Sequence, residues 1–275
     1  MKLFALFGNP IEHSKSHIIH KLFAKQIGIE QKYIKIKVST NSFSTSIINF
    51  FKNGGLGANI TVPFKREAYQ ICDLLTNRAK FSGVVNTMKI LNDHKILGDN
   101  TDGIGLLQDL QNLKYITSKS NILLLGAGGA AQGIIYPLIK FGCKITIVNR
   151  TYQNAKNIIQ HFKKNKNINC LKIENLSKYP YNKTYYDIII NATSSSMKGD
   201  IINIPISVIN SNIFCYDLFY NNNNTPFLKW CISQGVKNIS DGIGMLIEQA
   251  AYSFYLWHDI MPDTKKVLMN IKKIN

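Results

Sequence analysis

Two charged residues in this sequence, Lys65 and Asp102, stand in polar stretches that could do acid–base chemistry. Lys65 closes the run Asn59-Ile60-Thr61-Val62-Pro63-Phe64-Lys65, and Asp102 lies within Gly98-Asp99-Asn100-Thr101-Asp102-Gly103. An ammonium and a carboxylate brought to one carbonyl substrate can exchange a proton with it. Taken singly, each is more often a solvated surface charge. Further polar groups accompany them. Ser14 and Ser16, in the turn Asn9–Ser16, can point the same way and hydrogen-bond a carboxylate. A helix N-cap, the plainer use, needs only one serine. Asn59 and Thr61 share one strand face, opposite Ile60 and Val62, as an ordinary half-exposed strand also would. Asn86 and Thr87 end the apolar run that begins at Val84. The spacing of His13, His17 and His20 hints at a metal, but no cysteine or carboxylate cluster joins them, so none is expected.

A second chemistry is written in Gly126-Ala127-Gly128-Gly129-Ala130-Ala131. The apolar run Ile122–Leu125 precedes it, a helical pattern follows through Gln132 to Lys140, and Lys144–Val148 is a second apolar run. Strand, glycine turn, helix and strand in this order form a dinucleotide-binding unit. Gly126 permits the tight turn, and Gly128 lets backbone N–H groups at a helix N-terminus approach a pyrophosphate. Ala131 takes the place of a third glycine. The second strand ends in Asn149-Arg150-Thr151, without the carboxylate that would bond a ribose 2′-hydroxyl. Arg150 can instead clamp a 2′-phosphate, which favours NADP over NAD; the plainer reading is an arginine on a solvated loop.

The elements that must position these groups alternate along the chain. Strands are expected at Lys2–Phe7, Lys32–Val38 and Ala58–Val62, with helices at Ile18–Ile27, Phe43–Phe51 and from Pro63 to about Leu75. Val84–Leu91 and Lys95–Gly98 flank Asn92-Asp93 as a hairpin, and Gly103–Leu113 is helical. After Arg150 the pattern gives a helix at Ala155–Lys163, strands at Asp187–Asn191 and Ile213–Leu218, and a helix at Pro226–Gln234. Met245–His258 and Thr264–Ile271 are two helices rather than another βα unit. The expectation is an α/β protein of two domains. Residues 1–101 form a substrate domain with a mixed sheet, 102–237 a Rossmann-type domain, and 238–275 return to the first.

A net charge of +17 could suggest nucleic acid, but only Arg66, Arg78 and Arg150 are arginines and the lysines are scattered. Short clusters such as Lys163-Lys164 and Lys272-Lys273 make no basic stripe with interleaved aromatics, so no nucleic-acid partner is expected. The positive field would rather draw in an anionic substrate and cofactor. A hydrophobic content of 45% with 18% charged residues describes a soluble globular chain. The apolar runs fall far below the roughly 20 residues that cross a bilayer, and Met1–Phe7 is too short for a signal-peptide core. Cys72, Cys143, Cys170, Cys215 and Cys231 lack metal-ligand spacing and read as buried thiols in the cytoplasm.

Taken together, Gly8-Asn9-Pro10 with Ser14-Lys15-Ser16, Asn59–Lys65, Asn86-Thr87, Asp99–Gly103, Gly126–Ala131, Asn149–Thr151, Asn191-Ala192-Thr193, Tyr216-Asp217-Leu218 and Asp241–Met245 resemble the shikimate dehydrogenase family. The likeness runs in order from the first strand to the last helices. It implies NADPH-dependent reduction of 3-dehydroshikimate to shikimate, on the route to chorismate and the aromatic amino acids. It implies Lys65 and Asp102 as the catalytic pair, and Ser14, Ser16, Asn59, Thr61, Asn86, Tyr220 and Gln249 as holders of the substrate's carboxylate and hydroxyls. For the cofactor it implies Asn77, Gly126, Ala127, Gly128, Gly129, Ala130, Asn149, Arg150, Thr151, Asn154, Leu218 and Gly242, the last approaching the nicotinamide.

Three departures from the family pattern stand out. His17 replaces a proline after the second serine, losing a preset helix start but no donor. Asn154 replaces a second arginine of the phosphate clamp, so Arg150, helped at most by Lys156, holds the 2′-phosphate less firmly. Asn77 stands where an acidic residue is frequent. The rivals are a relative that also takes quinate with NAD, and a non-catalytic ligand-binding regulator on the same scaffold; intact Lys65 and Asp102 speak against the latter. A homodimer is compatible with this reading, and no membrane partner is expected.

Overall fold

Strand β1 (Lys2–Gly8) lies inside the first sheet because its residues from Phe4 onward bury on both sides. It is followed by α1 (Ser16–Ile27), β2 (Gln31–Lys37), α2 (Phe43–Lys52) and β3 (Gly55–Ile60), with β2 and β3 both parallel to β1. Then come α3 (Lys65–Ile71), β4 (Leu74–Leu75), α4 (Asn77–Ser82), β5 (Thr87–Ile90), β6 (Ile96–Asp99) and α5 (Asp102–Asn112). The mixed sheet has the order β2-β1-β3-β5-β6-β4, with β5 antiparallel to β3 and β6.

The computed structural model describes residues 1–162, 165–178, 185–195 and 204–274. The chain divides into two units, Met1–Leu106 with Leu246–Asn275, and Leu107–Met245. In the first unit one sheet face carries Ala5, Phe7, Ala58 and Ile60 against Phe43, Ile47, Phe50 and Phe64. On the other face Phe4 meets α10 (Ile243–His258). Phe4 stacks on Trp257 with centroids 4.6 Å apart, and Phe254 lies edge-on to Phe23 at 5.7 Å. Gly57 admits this indole: a Cβ there would collide with the Trp257 ring nitrogen, which donates to the Met88 carbonyl at 3.0 Å. The closing helix α11 (Thr264–Ile274) is tied to α1 through Gln26, which accepts from Asp263 N at 2.8 Å.

Three local differences from the sequence reading have physical causes. Strand β3 begins at Gly55 and ends at Ile60, so Val62, expected inside it, is 47% exposed. Helix α3 stops at Ile71 because Asp73 exchanges bonds with Ile96, accepting from its N–H and donating to its carbonyl. This draws the chain into β4. Helix α4 was not anticipated; the Thr76 hydroxyl caps it by accepting from Ala79 N, and Gly83 ends it in the left-handed region.

The second unit holds β7 (Asn121–Leu125), α6 (Gly129–Phe141), β8 (Lys144–Val148), α7 (Tyr152–His161), β9 (Ile168–Leu171), α8 (Ile173–Leu176), β10 (Ile188–Asn191), β11 (Phe214–Asp217), α9 (Pro226–Ser233) and β12 (Asn238–Ser240). All its strands run parallel in the order β12-β11-β10-β7-β8-β9. This is the doubly wound arrangement, whose order reverses between β7 and β10. The continuous apolar runs are explained by burial on both faces: Ile188, Ile189 and Ile190 are fully buried. The unit extends past Lys237 to Met245, because Asn238–Ser240 adds β12 to β11. Helix α7 starts at Tyr152 and ends at His161; Lys163 and Lys164 lie outside the described residues. Among the described residues no helix is long and apolar enough to cross a membrane.

Candidate active site

In the first unit a polar nest gathers where β3 and β6 end, β5 begins, and α3, α5 and α10 begin or pass. Lys65 opens α3 and Asp102 opens α5, and Lys65 Nζ stands 2.5 Å from Asp102 Oδ2. Their side chains are 15% and 8% exposed, so the pair is largely withdrawn from water and weakly screened. Asp102 Oδ1 accepts from Asn86 Nδ2 at 2.7 Å, and the Asp102 N–H donates to Asn100 Oδ1. Both carboxylate oxygens are therefore held in place.

Asn86 is a hub. Its Nδ2 also donates to Thr101 Oγ1 at 3.0 Å and Gln249 Oε1 at 3.2 Å, while its Oδ1 accepts from Thr101 N at 2.9 Å. Asn59, paired in register with Thr87, donates from Nδ2 to Thr87 Oγ1 at 3.2 Å, to Ser253 Oγ at 3.0 Å and to the Asn86 carbonyl at 3.3 Å. Thr61 sits just past β3 with its methyl against Gly8 and its N–H on the Phe7 carbonyl. Gln249 is anchored by its own amide on the Leu246 carbonyl. Ser14 and Ser16 lie together, Ser14 donating to Ser16 at 3.1 Å. Lys15, the N-cap of α1, makes no side-chain cap, and Ser14 Oγ accepts from Ser16 N at 3.3 Å.

Of the residues expected to hold substrate, the nest unites Asn59, Asn86 and Gln249 with the charged pair. Tyr220 belongs to the second unit, where its ring stacks on Phe219. Sequence reasoning gave no role to Thr101 and overlooked Ser253 and Tyr33. Ser253 had a signal: it follows Gln249 by one helical turn, a polar pair on an otherwise apolar helix face. Asp99 was also left without a role. It is fully buried, accepts from Thr76, Asn100 N and the Arg78 fork, and ties α4 to the end of β6.

Of the histidines weighed as metal ligands, His20 is fully buried and stacks on Tyr33 at 4.4 Å. Burial holds it neutral, with its pKa pushed down to about 3. His17 is lowered as well, by burial and then by Lys35. Among the described residues no cluster could hold a metal ion.

The second unit carries the glycine turn. Gly126 has φ +110°, a left-handed conformation that favours glycine, and a Cβ there would meet Ala192 and Thr193 beyond β10. Ala127 is buried at the turn, and Gly128 is the N-cap of α6 with open space where a side chain would project. The first turn of α6, with Gly129 and Ala130, has neither a side-chain cap nor an acidic residue. Its N–H groups are left for an anion.

At the end of β8, Asn149 Nδ2 donates to the Thr151 carbonyl at 2.8 Å and shapes the turn. Arg150 and Asn154 are exposed, and among the described residues Arg150 pairs with no carboxylate. Lys156 places its Nζ over the Tyr152 ring at 5.1 Å. Gly242 stands against Leu218: a Cβ would collide with the Leu218 carbonyl oxygen. Only glycine fits that approach. Asn77 is exposed at the start of α4 in the first unit, apart in sequence from the other residues expected at the cofactor.

Comparison with known proteins gives concordant matches. Residues 6–88 match the shikimate dehydrogenase substrate binding domain, 109–202 the shikimate / quinate 5-dehydrogenase family, and 242–269 the shikimate 5′-dehydrogenase C-terminal domain. Among solved structures, an Ael1 enzyme from Pseudomonas putida is 34% identical over 98% of each chain, with a TM-score of 0.89. A shikimate dehydrogenase solved in complex with NADP+ is 30% identical, covering 100% of this chain and 96% of that one, with a TM-score of 0.87. The shikimate 5-dehydrogenase of Thermus thermophilus, solved with NADP(H) and shikimate, is 26% identical over 96% of each chain, with a TM-score of 0.84.

Proposed function

The chain belongs to the shikimate dehydrogenase family, and we propose that it catalyses the reversible NADPH-dependent reduction of 3-dehydroshikimate to shikimate. The observation that carries this reading is the withdrawn Lys65–Asp102 pair inside the Asn86, Thr101 and Gln249 nest. NADPH, when bound, supplies the hydride. Lys65 faces the negative charge that grows on the C3 carbonyl oxygen, stabilises it and delivers the proton. Asp102, its oxygens fixed by Lys65 and Asn86, keeps that ammonium charged and aimed, and accepts from a substrate hydroxyl. Ser14, Ser16, Asn59, Thr61, Asn86, Tyr220 and Gln249 hold the carboxylate and hydroxyls.

The second unit fits the cofactor. The uncapped N-terminus of α6 suits the pyrophosphate, and the exposed Arg150 suits the 2′-phosphate. Asn77, Ala127, Gly129, Ala130, Asn149, Thr151, Asn154, Leu218 and Gly242 complete the proposed cofactor contacts. Five free cysteines fit a reducing compartment, the cytoplasm. A second reading, activity on quinate with NAD, draws support from Asn154 and from Lys156, engaged with Tyr152. Spectrophotometry separates the two: shikimate with NADP+ should outpace quinate with NAD+. No NADPH formed from shikimate would overturn the proposal.

A further inference from the structure

Tyr33 stands on β2 in the row Tyr33–Phe4–Gly57, neighbouring the row Lys35–Leu6–Asn59. Its side chain reaches past the central strand and donates its hydroxyl to Asn59 Oδ1 at 2.9 Å. The ring lies flat on His20, with planes 10° apart, and Trp257 stands 6.3 Å away. The fully buried His20, kept neutral by its burial, serves as the platform. Tyrosine, platform and asparagine all belong to the first unit.

The bond decides what Asn59 can offer. An amide has one oxygen and two hydrogens. Tyr33 occupies the oxygen, while the Asn86 carbonyl, Thr87 and Ser253 share the hydrogens at 3.3, 3.2 and 3.0 Å. Three neutral acceptors share two hydrogens over long distances, so a charged oxygen can capture one of them. Without the phenol, Oδ1 would lose its donor, and the amide would turn to find another.

We propose that Tyr33 is a positioning residue for substrate binding: by capping Asn59 Oδ1 it fixes the amide so that only N–H is presented to a substrate oxygen. The proposal rests on the reading of this chain as a shikimate dehydrogenase. Burial holds the phenol protonated far above its ordinary range, against an opposing hydrogen bond from Ser16. The hydrogen is thus present throughout the working pH range.

Tyr33→Phe keeps the ring on its platform and removes one oxygen. The Michaelis constant for shikimate should rise about tenfold, with kcat within about twofold and the constant for NADP+ unchanged. In an Asn59→Ala background the same change should add less than about twofold, because both residues act through one bond. A shikimate constant unmoved by Tyr33→Phe overturns the proposal and leaves the assignment of the enzyme intact. A lowered melting temperature with that constant unmoved does the same, since it marks a merely structural tyrosine. A full tenfold effect in the Asn59→Ala background also overturns it; should that variant not fold, Tyr33→Phe decides alone. Wild-type protein that oxidises no shikimate overturns the assignment and the proposal together.

Discussion

In the proposed mechanism Lys65 is the residue on which turnover would depend most directly, because its charge matters only while negative charge grows on the substrate oxygen. Lys65→Ala should lower kcat by about 10²-fold or more with little change in KM. Steady-state kinetics with shikimate read this, and unchanged turnover would remove the lysine from the mechanism. Arg150→Ala should raise KM for NADP+ by about tenfold or more, and for NAD+ far less, as loss of a charged hydrogen-bond donor to phosphate requires. Equal effects on both cofactors would reject the clamp. Both residues stood out as candidates in the sequence, for different reasons. Arg150 follows its own strand directly, so local order placed it. Lys65 and Asp102 were joined by family likeness, since their meeting at 2.5 Å depends on the ends of several strands. Tyr33 was not legible at all. In β2 it looks like one more β-forming residue, and its bond to Asn59 crosses the intervening strand.

At the scale of elements, the layer between β1, α1 and α10 makes two predictions. Gly57→Ala would drive a methyl into the Trp257 indole, and overpacking of this kind costs about 1–3 kcal/mol. Chemical denaturation should show that loss. The same layer buries His20, whose pKa falls to about 3 from an ordinary 6.5 because burial disfavours its charged form. The unfolded chain therefore takes up a proton that the folded chain refuses. This stability is fully present above about pH 6.5 and is lost as pH falls toward about 3. The loss is up to about 1.4 kcal/mol per pH unit from this residue. His20→Phe should flatten the decline of melting temperature with acidity over that window; an identical slope would exclude His20 as its source. The βαβ unit was readable because glycine turn and apolar runs are local signals. Strands β4, β9 and β12 were not, because short edge strands are defined by their neighbours; β12 exists through its pairing with β11. Helix α4 hid for a similar reason, since Thr76 and Gly83 mark it only once its fold is known.

For the whole molecule, the net charge of +17 bears on encounter rather than on fold. Dinucleotide and substrate are both anions, so the protein's field should concentrate them, and salt should weaken that attraction. KM for NADP+ should rise with ionic strength while kcat stays nearly constant. A KM independent of salt would show that the scattered lysines act locally. The first unit is also assembled from both ends of the chain, with Leu246–Asn275 joining Met1–Leu106. On a ribosome the N-terminal strands emerge early but wait for Phe254 and Trp257 to cover their second face, while residues 107–245 are already complete. Co-translational folding should thus finish in the middle of the chain first. Until the last helices emerge, the nascent N-terminal sheet and α1 present Phe4 and Phe23 as a surface for chaperones.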